Sequence, residues 1–189
     1  MDEKTSNTSR NDTDQALLSR VISHDRDAFR ELYIIYHRRL SRFLLRLTRR
    51  HDLIEEVIND TLWIVWKQAG TFRNESQVST WIMGIAYRRT LKALRQYFPA
   101  SEKNAIDIDD AALIAPDVNG EKETQEWILQ GLNQLPLEQR LVLEFAYDLG
   151  HSCEEIATIM ECPVNTVKTR LFHARRKLRD ILPELAGAT

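Results

Sequence analysis

Apolar positions recur at spacings of three and four along almost the whole chain, and no segment alternates apolar with polar residues as a half-buried strand does. The pattern predicts a first helix over residues 14–22. A second starts after Asp25, a good N-cap type, and carries Phe29, Leu32, Tyr33 and Tyr36 on one face as far as about Arg50. A third covers residues 53–69, with Gly70 as its stop. Residues 71–79 are polar apart from Phe72 and Val78 and read as a loop. The fourth helix begins near Thr80 and ends before Pro99, because the residue preceding a proline avoids the helical region. Further helices are predicted around residues 123–134, over 136–149 with Gly150 closing it, over 152–160 or 161, and from Pro163 to about Leu182. Ser152, Cys153, Glu154 and Glu155 form a capping box, in which Ser152 accepts from the third backbone N–H and Glu155 reaches back to the cap. The expected fold class is all-α, with two small helical domains joined by a flexible linker.

Composition adds limits. With 43% hydrophobic and 29% charged residues the 189-residue chain has the balance of a soluble globular protein. No apolar run approaches the ~18–20 residues of a membrane span. Residues 1–13 are rich in Ser, Thr, Asn and Asp with no apolar core for a signal peptide, so they read as a disordered tail on a cytoplasmic protein. Two cysteines, Cys153 and Cys162, are too few for a disulfide framework and fit a reducing compartment.

Charge changes the picture more. The net charge of −2 conceals 17 Lys and Arg against 12 Asp and Glu in residues 1–97, then 2 against 8 in residues 98–130. Residues 163–179 hold six basic residues and no acidic one. Two basic surfaces separated by an acidic connector suggest a polyanion touched in two places. The connector, residues 98–120, holds two prolines, a glycine and the run Asp107, Ile108, Asp109, Asp110, which makes it the expected linker. The domains are then expected at 14–97 and 121–185.

The helices at 152–160 and 163–182, joined by about three residues, have the spacing of a helix-turn-helix. On the second, Val164, Val167, Leu171, Ala174 and Leu178 share one face, while Asn165, Thr166, Thr169, His173 and Arg176 lie opposite. Lys168, Arg170, Phe172 and Arg175 flank them. Such a helix has an apolar back, short polar side chains for base edges and cations for phosphates. A second candidate is the loop Phe72, Arg73, Asn74, Glu75, Ser76 beside a helix bearing Arg88, Arg89, Lys92 and Arg95, where Phe72 could stack and Asn74 hydrogen-bond to unstacked single-stranded bases. The competing reading makes Phe72, Trp63, Trp66 and Trp81 core aromatics, and for the tryptophans it is preferred.

Enzyme and metal readings find little support. Cys153 and Cys162 stand nine apart without a C-x₂₋₄-C or H-x₃₋₅-H partner, so no metal is expected. There is no Gly-rich phosphate loop and no hydrolase or zincin motif, so no cofactor and no small-molecule substrate are expected. The carboxylate pairs Glu55/Glu56 and Asp109/Asp110 diverge on a helix or lie in the linker. A two-domain regulator would need an α/β sensor half, and a recombinase a catalytic constellation on a mixed fold; the uniform helical pattern opposes both.

Region by region the chain resembles an extracytoplasmic-function (group 4) sigma factor of the sigma-70 family. Residues 55–66 are similar to the family's region 2.2. Phe72 to Ser76, then Thr80, Trp81, Ile82 and Ile85, Ala86, are similar to regions 2.3 and 2.4. Leu132 and residues 135–140 open what looks like region 4; residues 154–157, 162–164, 166–171 and 174–179 resemble its helix-turn-helix. The resemblance implies a transcription initiation factor, not an enzyme, that acts in stress responses and is held by an anti-sigma factor. It implies docking of Glu56, Asn59, Asp60 and Trp63 on the polymerase β′ coiled coil, with a further contact to the β flap. It implies contact of Phe72, Arg73, Asn74, Ser76, Arg88, Arg89 and Lys92 with the −10 element. Asn165, Thr166, Lys168, Thr169, Arg170, Phe172, His173 and Arg176 would meet the −35 duplex. The acidic linker, with Asp107, Asp109, Asp110 and Asp117, would run near the basic channels of polymerase and mimic nucleic acid. Region 3 is missing. Glu161 and Asn165 stand where the family often has glycine, and Gly84 and Arg88 also depart from its usual residues.

Overall fold

The structure, a computed structural model, describes residues 2–48, 50–97 and 130–187. Every regular element among them is helical: α1 (Asp2–Ile22), α2 (Arg26–Leu45), α3 (His51–Gln68), a 3₁₀ turn (Ala69–Thr71), α4 (Val78–Tyr97), α5 (Leu137–Leu143), a π-turn (Glu144–Asp148), α6 (Cys153–Met160) and α7 (Val164–Gly187). No helix among the described residues is long and apolar enough to cross a membrane. The linker 98–120 lies outside the described residues, as does most of the helix expected at 123–134, of which residues 130–133 are described and helical.

Local rules account for the helix starts. Asp25 caps α2 by accepting from the N–H groups of Asp27 at 2.9 Å and Ala28 at 3.1 Å, so two otherwise orphaned donors are satisfied. Its buried side chains, Ala28, Leu32, Tyr36, Leu40, Phe43 and Leu44, repeat every three or four residues. Leu53, Ile54, Val57, Ile58, Thr61, Leu62 and Val65 do the same for α3. Helix α4 starts at Val78, earlier than the pattern suggests, because Asn11 Oδ1 accepts the Val78 N–H at 3.2 Å.

That bond belongs to a correction. The disordered tail expected over residues 1–13 is instead the first part of α1, which runs from Asp2. Its polar composition concealed an anchor, Asn11, which holds the start of α4. One turn on, Asp14, 3% exposed, accepts from Tyr36 Oη at 2.6 Å and Arg39 Nη1 at 3.1 Å. Burial, then the Asp14 charge, pushes the Tyr36 phenol well above its usual value, so Tyr36 stays a proton donor to Asp14. A buried aspartate is tolerated because it is paired and hydrogen-bonded.

Helices α1 to α4 pack on one another, as do α5 to α7, and α4 against α6 joins the two sets into one continuous hydrophobic core. At this junction Phe145, fully buried, stacks on Phe43 with centroids 5.1 Å apart and meets the edge of Tyr87 at 6.3 Å. Gly84 faces Ile159 across this junction, and a Cβ there would make only an ordinary contact, 3.9 Å from Ile159 Cα. Arg46, at the end of α2, reaches Glu144 at 3.1 Å and Asp148 at 2.7 Å. Burial lowers Arg140 to about 10 and raises Glu144, opposed in each case by the charges beside them.

Candidate nucleic-acid interface

The helix-turn-helix forms as its sequence dictates. Glu155 N–H donates to Ser152 Oγ at 3.2 Å and Ser152 N–H to Glu155 Oε2 at 2.8 Å, completing the capping box. Gly150, at φ 70, takes the left-handed conformation that ends the preceding turn. Helix α6 closes on Glu161, also left-handed at φ 52, which no β-carbon favours. The Cys162 N–H returns to Ala157 O at 3.0 Å, and α7 follows.

On α7 the buried back is Val167, Leu171 and Ala174, with Val164 and Leu178 packed at its edges. Asn165, Lys168, Thr169, Phe172, His173, Arg175 and Arg176 are exposed, and Thr166 is half-buried. Phe172 is 62% exposed and edge-on to His173 at 5.5 Å, so the outer face carries an aromatic pair as well as polar groups. Arg170 differs. It ion-pairs with Glu138 and donates to Cys162 Sγ at 3.6 Å, so its guanidinium is turned toward α5. Arg175 lies over the Tyr147 ring at 5.4 Å. Helical spacing put Arg170 at the flank of the face and could not show which carboxylate would claim it.

The loop after α3 is shaped by its own packing. Phe72 is half-buried against Trp81, with ring centroids 5.3 Å apart, so one side of the ring is already occupied. Asn74 sits at φ 56, a conformation asparagine tolerates, and stands exposed with Arg73. Ser76 Oγ donates to Gln77 O at 3.3 Å. On α4, Arg88 and Lys92 are exposed and Arg89 half-buried. Arg88 Nη1 donates to Glu161 Oε1 at 2.7 Å, and Arg89 lies 3.7 Å from Asp60.

Asp60 shares the outer face of α3 with Glu56, Asn59 and Trp63, all exposed. Tyr33 Oη donates to Asn59 Oδ1 at 3.1 Å. Of the tryptophans expected in the core, Trp66 packs half-buried on Phe29 and Trp81 on Phe72, but Trp63 is 59% exposed. It falls on the side of α3 away from Val57, Thr61 and Leu62, and Lys67 Nζ sits 4.8 Å above its ring. Three candidate surfaces therefore exist: an acidic and aromatic face on α3, a loop with basic residues at α4, and a polar and basic face on α7. The link from Arg88 to Glu161 had no sequence signal, since each residue follows its own helix pattern.

Comparison with known proteins bears on all three. Residues 32–97 match the family model for Sigma-70 region 2, and residues 125–178 that for Sigma-70, region 4. The chain is 28% identical over 188 residues to an ECF RNA polymerase sigma-E factor of Haemophilus influenzae, covering 92% of this chain and 97% of the relative. It is 27% identical over 187 residues to an RNA polymerase sigma-H factor of Pseudomonas aeruginosa, covering 91% and 95%. Among solved structures, CnrH in complex with the cytosolic domain of CnrY has the same fold, with TM-score 0.68, 19% identity and coverage of 91% of this chain and 98% of that one. The sigma factor RpoE in complex with the anti-sigma factor NepR from Bartonella quintana superposes with TM-score 0.65 at 25% identity, covering 82% and 96%. With α2–α4 carrying one of the two family regions and α5–α7 the other, in that order, the chain belongs to the sigma-70 family and is a transcription initiation factor of the extracytoplasmic-function type.

Proposed function

We propose that residues 14–97 dock this factor on core RNA polymerase and engage the −10 element, and that residues 121–185 read the −35 duplex, with residues 98–120 as the tether between them. The observation that carries this reading is α7: a buried apolar back, Val167 to Ala174, under an exposed face of Lys168, Thr169, His173 and Arg176. Such a face suits a major groove, with Thr169 and His173 near the helix start for base edges and Lys168 at the flank for phosphate. Helix α3 offers Glu56, Asn59, Asp60 and Trp63 to polymerase. The loop at 72–76, with Arg88, Arg89 and Lys92, faces melted −10 DNA. Control by an anti-sigma protein is supported by the RpoE and CnrH structures, each of which is a complex with a second protein. The site of action is then the cytoplasm. Run-off transcription with added core polymerase, followed by mapping of start sites, tests the whole reading: specific starts that depend on this chain are expected, and their absence on genomic templates overturns it.

A further inference from the structure

We propose that the chain carries a nucleotide-binding site, a cavity between α1, α2, the start of α4 and the turn at 148–151, in which Arg10, Arg38 and Arg42 hold the phosphates of a nucleoside di- or triphosphate. The cavity measures about 490 Å³. That lies within the ~300–1,000 Å³ typical of small-molecule sites. None of the residues assigned above to polymerase, the −10 element or the −35 duplex lines it, so the site stands or falls apart from those surfaces.

Charge along α2 is the first ground. Residues 32–50 hold six arginines and no Lys, Asp or Glu. Arg39 pairs with Asp14, Arg46 with Glu144 and Asp148, and Arg50 with Asp52. Arg38 and Arg42 are left without an ion pair among the described residues, and so is Arg10 on α1. All three line the one cavity. Arg38 and Arg42 stand four apart on the helix, a spacing at which like charges repel, so neither steadies α2 through the other. The two carboxylates of the cavity wall, Asp14 and Asp148, are already neutralised by Arg39 and Arg46. Three positive charges therefore remain to face a ligand. Guanidinium groups, with their planar fork of donors, form paired bonds to phosphate that an ammonium does not.

The apolar part of the wall narrows the ligand further. Ile35 and Leu149 are half-buried and Met83 is buried, and all three face the same space. Ile34, 61% exposed, stands at its rim. Free phosphate would leave these side chains idle, and an apolar molecule would leave the arginines unpaired. A compound with a phosphorylated end and an uncharged ring satisfies both. A nucleoside di- or triphosphate has that build, and its charge is close to that of three arginines.

Equilibrium dialysis of the full chain against each of the four common ribonucleoside triphosphates, radiolabelled, tests the site. Saturable binding of one nucleotide per chain is expected, weakening as salt is raised. Arg38→Ala with Arg42→Ala reduces the affinity at least about tenfold. Arg26→Ala with Arg30→Ala removes the same charge from the other end of α2, outside the cavity, and leaves binding unchanged. Ile34→Glu, at an exposed position that supports no core, brings a carboxylate to the rim and weakens binding likewise. Circular dichroism matching the wild type in each variant separates loss of binding from loss of fold. Absence of saturable binding with all four nucleotides overturns the site. An equal loss in the Arg26 and Arg30 variant also overturns it, since diffuse charge then accounts for the affinity. Inorganic triphosphate, which lacks the ring, is expected to compete only weakly; competition equal to that of the nucleotide overturns the nucleotide assignment.

Discussion

Glu155 shows how much one carboxylate can carry. Its Oε2 closes the capping box at 2.8 Å and lies 3.8 Å from His151 Nδ1, while Oε1 accepts from Thr80 across the junction at 3.2 Å. The His151 imidazole beside it, then the Ser152 N–H, hold its carboxyl at about 2 despite partial burial. A depressed acid contributes stability that is complete above its unfolded value near 4.5 and is lost as pH falls toward 2. Urea unfolding of the wild type should therefore weaken over that window, and Glu155→Gln should flatten the dependence while costing about 1–3 kcal/mol at neutral pH. Glu144 acts in the opposite sense: burial raises its pKa, so its charge opposes folding and that opposition eases on acidification. The capping role of Glu155 was legible in the sequence because its partner is three residues away. Its bond to Thr80 was not, because no local pattern relates residues 75 positions apart.

Elements were the scale the sequence described best. The caps of α2 and α6, the stop near Gly70 and the apolar backs of α3 and α7 all follow from spacing within one turn or two. The amphipathic pattern also ranked the faces of α7 and placed Arg170 at the flank, while the resemblance implied a −35 contact for it; in the structure its guanidinium is turned toward Glu138. On this helix Lys168→Ala should weaken −35 binding almost uniformly across sequences and lower the salt slope by about one. Thr169→Ala and His173→Ala should instead relax discrimination at one or two base pairs, with ~1–3 kcal/mol lost on the preferred site. Binding to every single −35 substitution at two salt concentrations separates the two patterns. For α3, Asp60→Lys with Trp63→Ala should weaken assembly with core polymerase by about 2–5 kcal/mol, measured by fluorescence anisotropy. Part of that loss belongs to the face itself, since Asp60 also steadies Arg89 and Lys67 lies on the Trp63 ring.

At the scale of the molecule the two halves are joined by pairs far apart in sequence: Arg46 with Asp148, Arg88 with Glu161, Phe43 with Phe145. Charge asymmetry exposed two basic halves and an acidic connector, yet it could not predict their closure, because each pair belongs to two independent helical patterns. Raising the salt concentration should weaken the contact of α4 with α6, since Arg88 and Glu161 are exposed and screened, whereas the buried apolar side chains should be unaffected. Hydrogen exchange at α4 and α6 would then accelerate together while the amides of α2 keep their protection. Five residues, Glu144–Asp148, turn in a π-helix, the width that one extra residue leaves in an α-helix. Deleting Ala146 would let that stretch close as ordinary α-helix with the residues on either side kept in register, because the wide turn already absorbs the extra residue. The width of that turn is thus set by a count of residues as much as by their kind, and a chain one residue shorter here should keep the bond from Arg46 to Asp148.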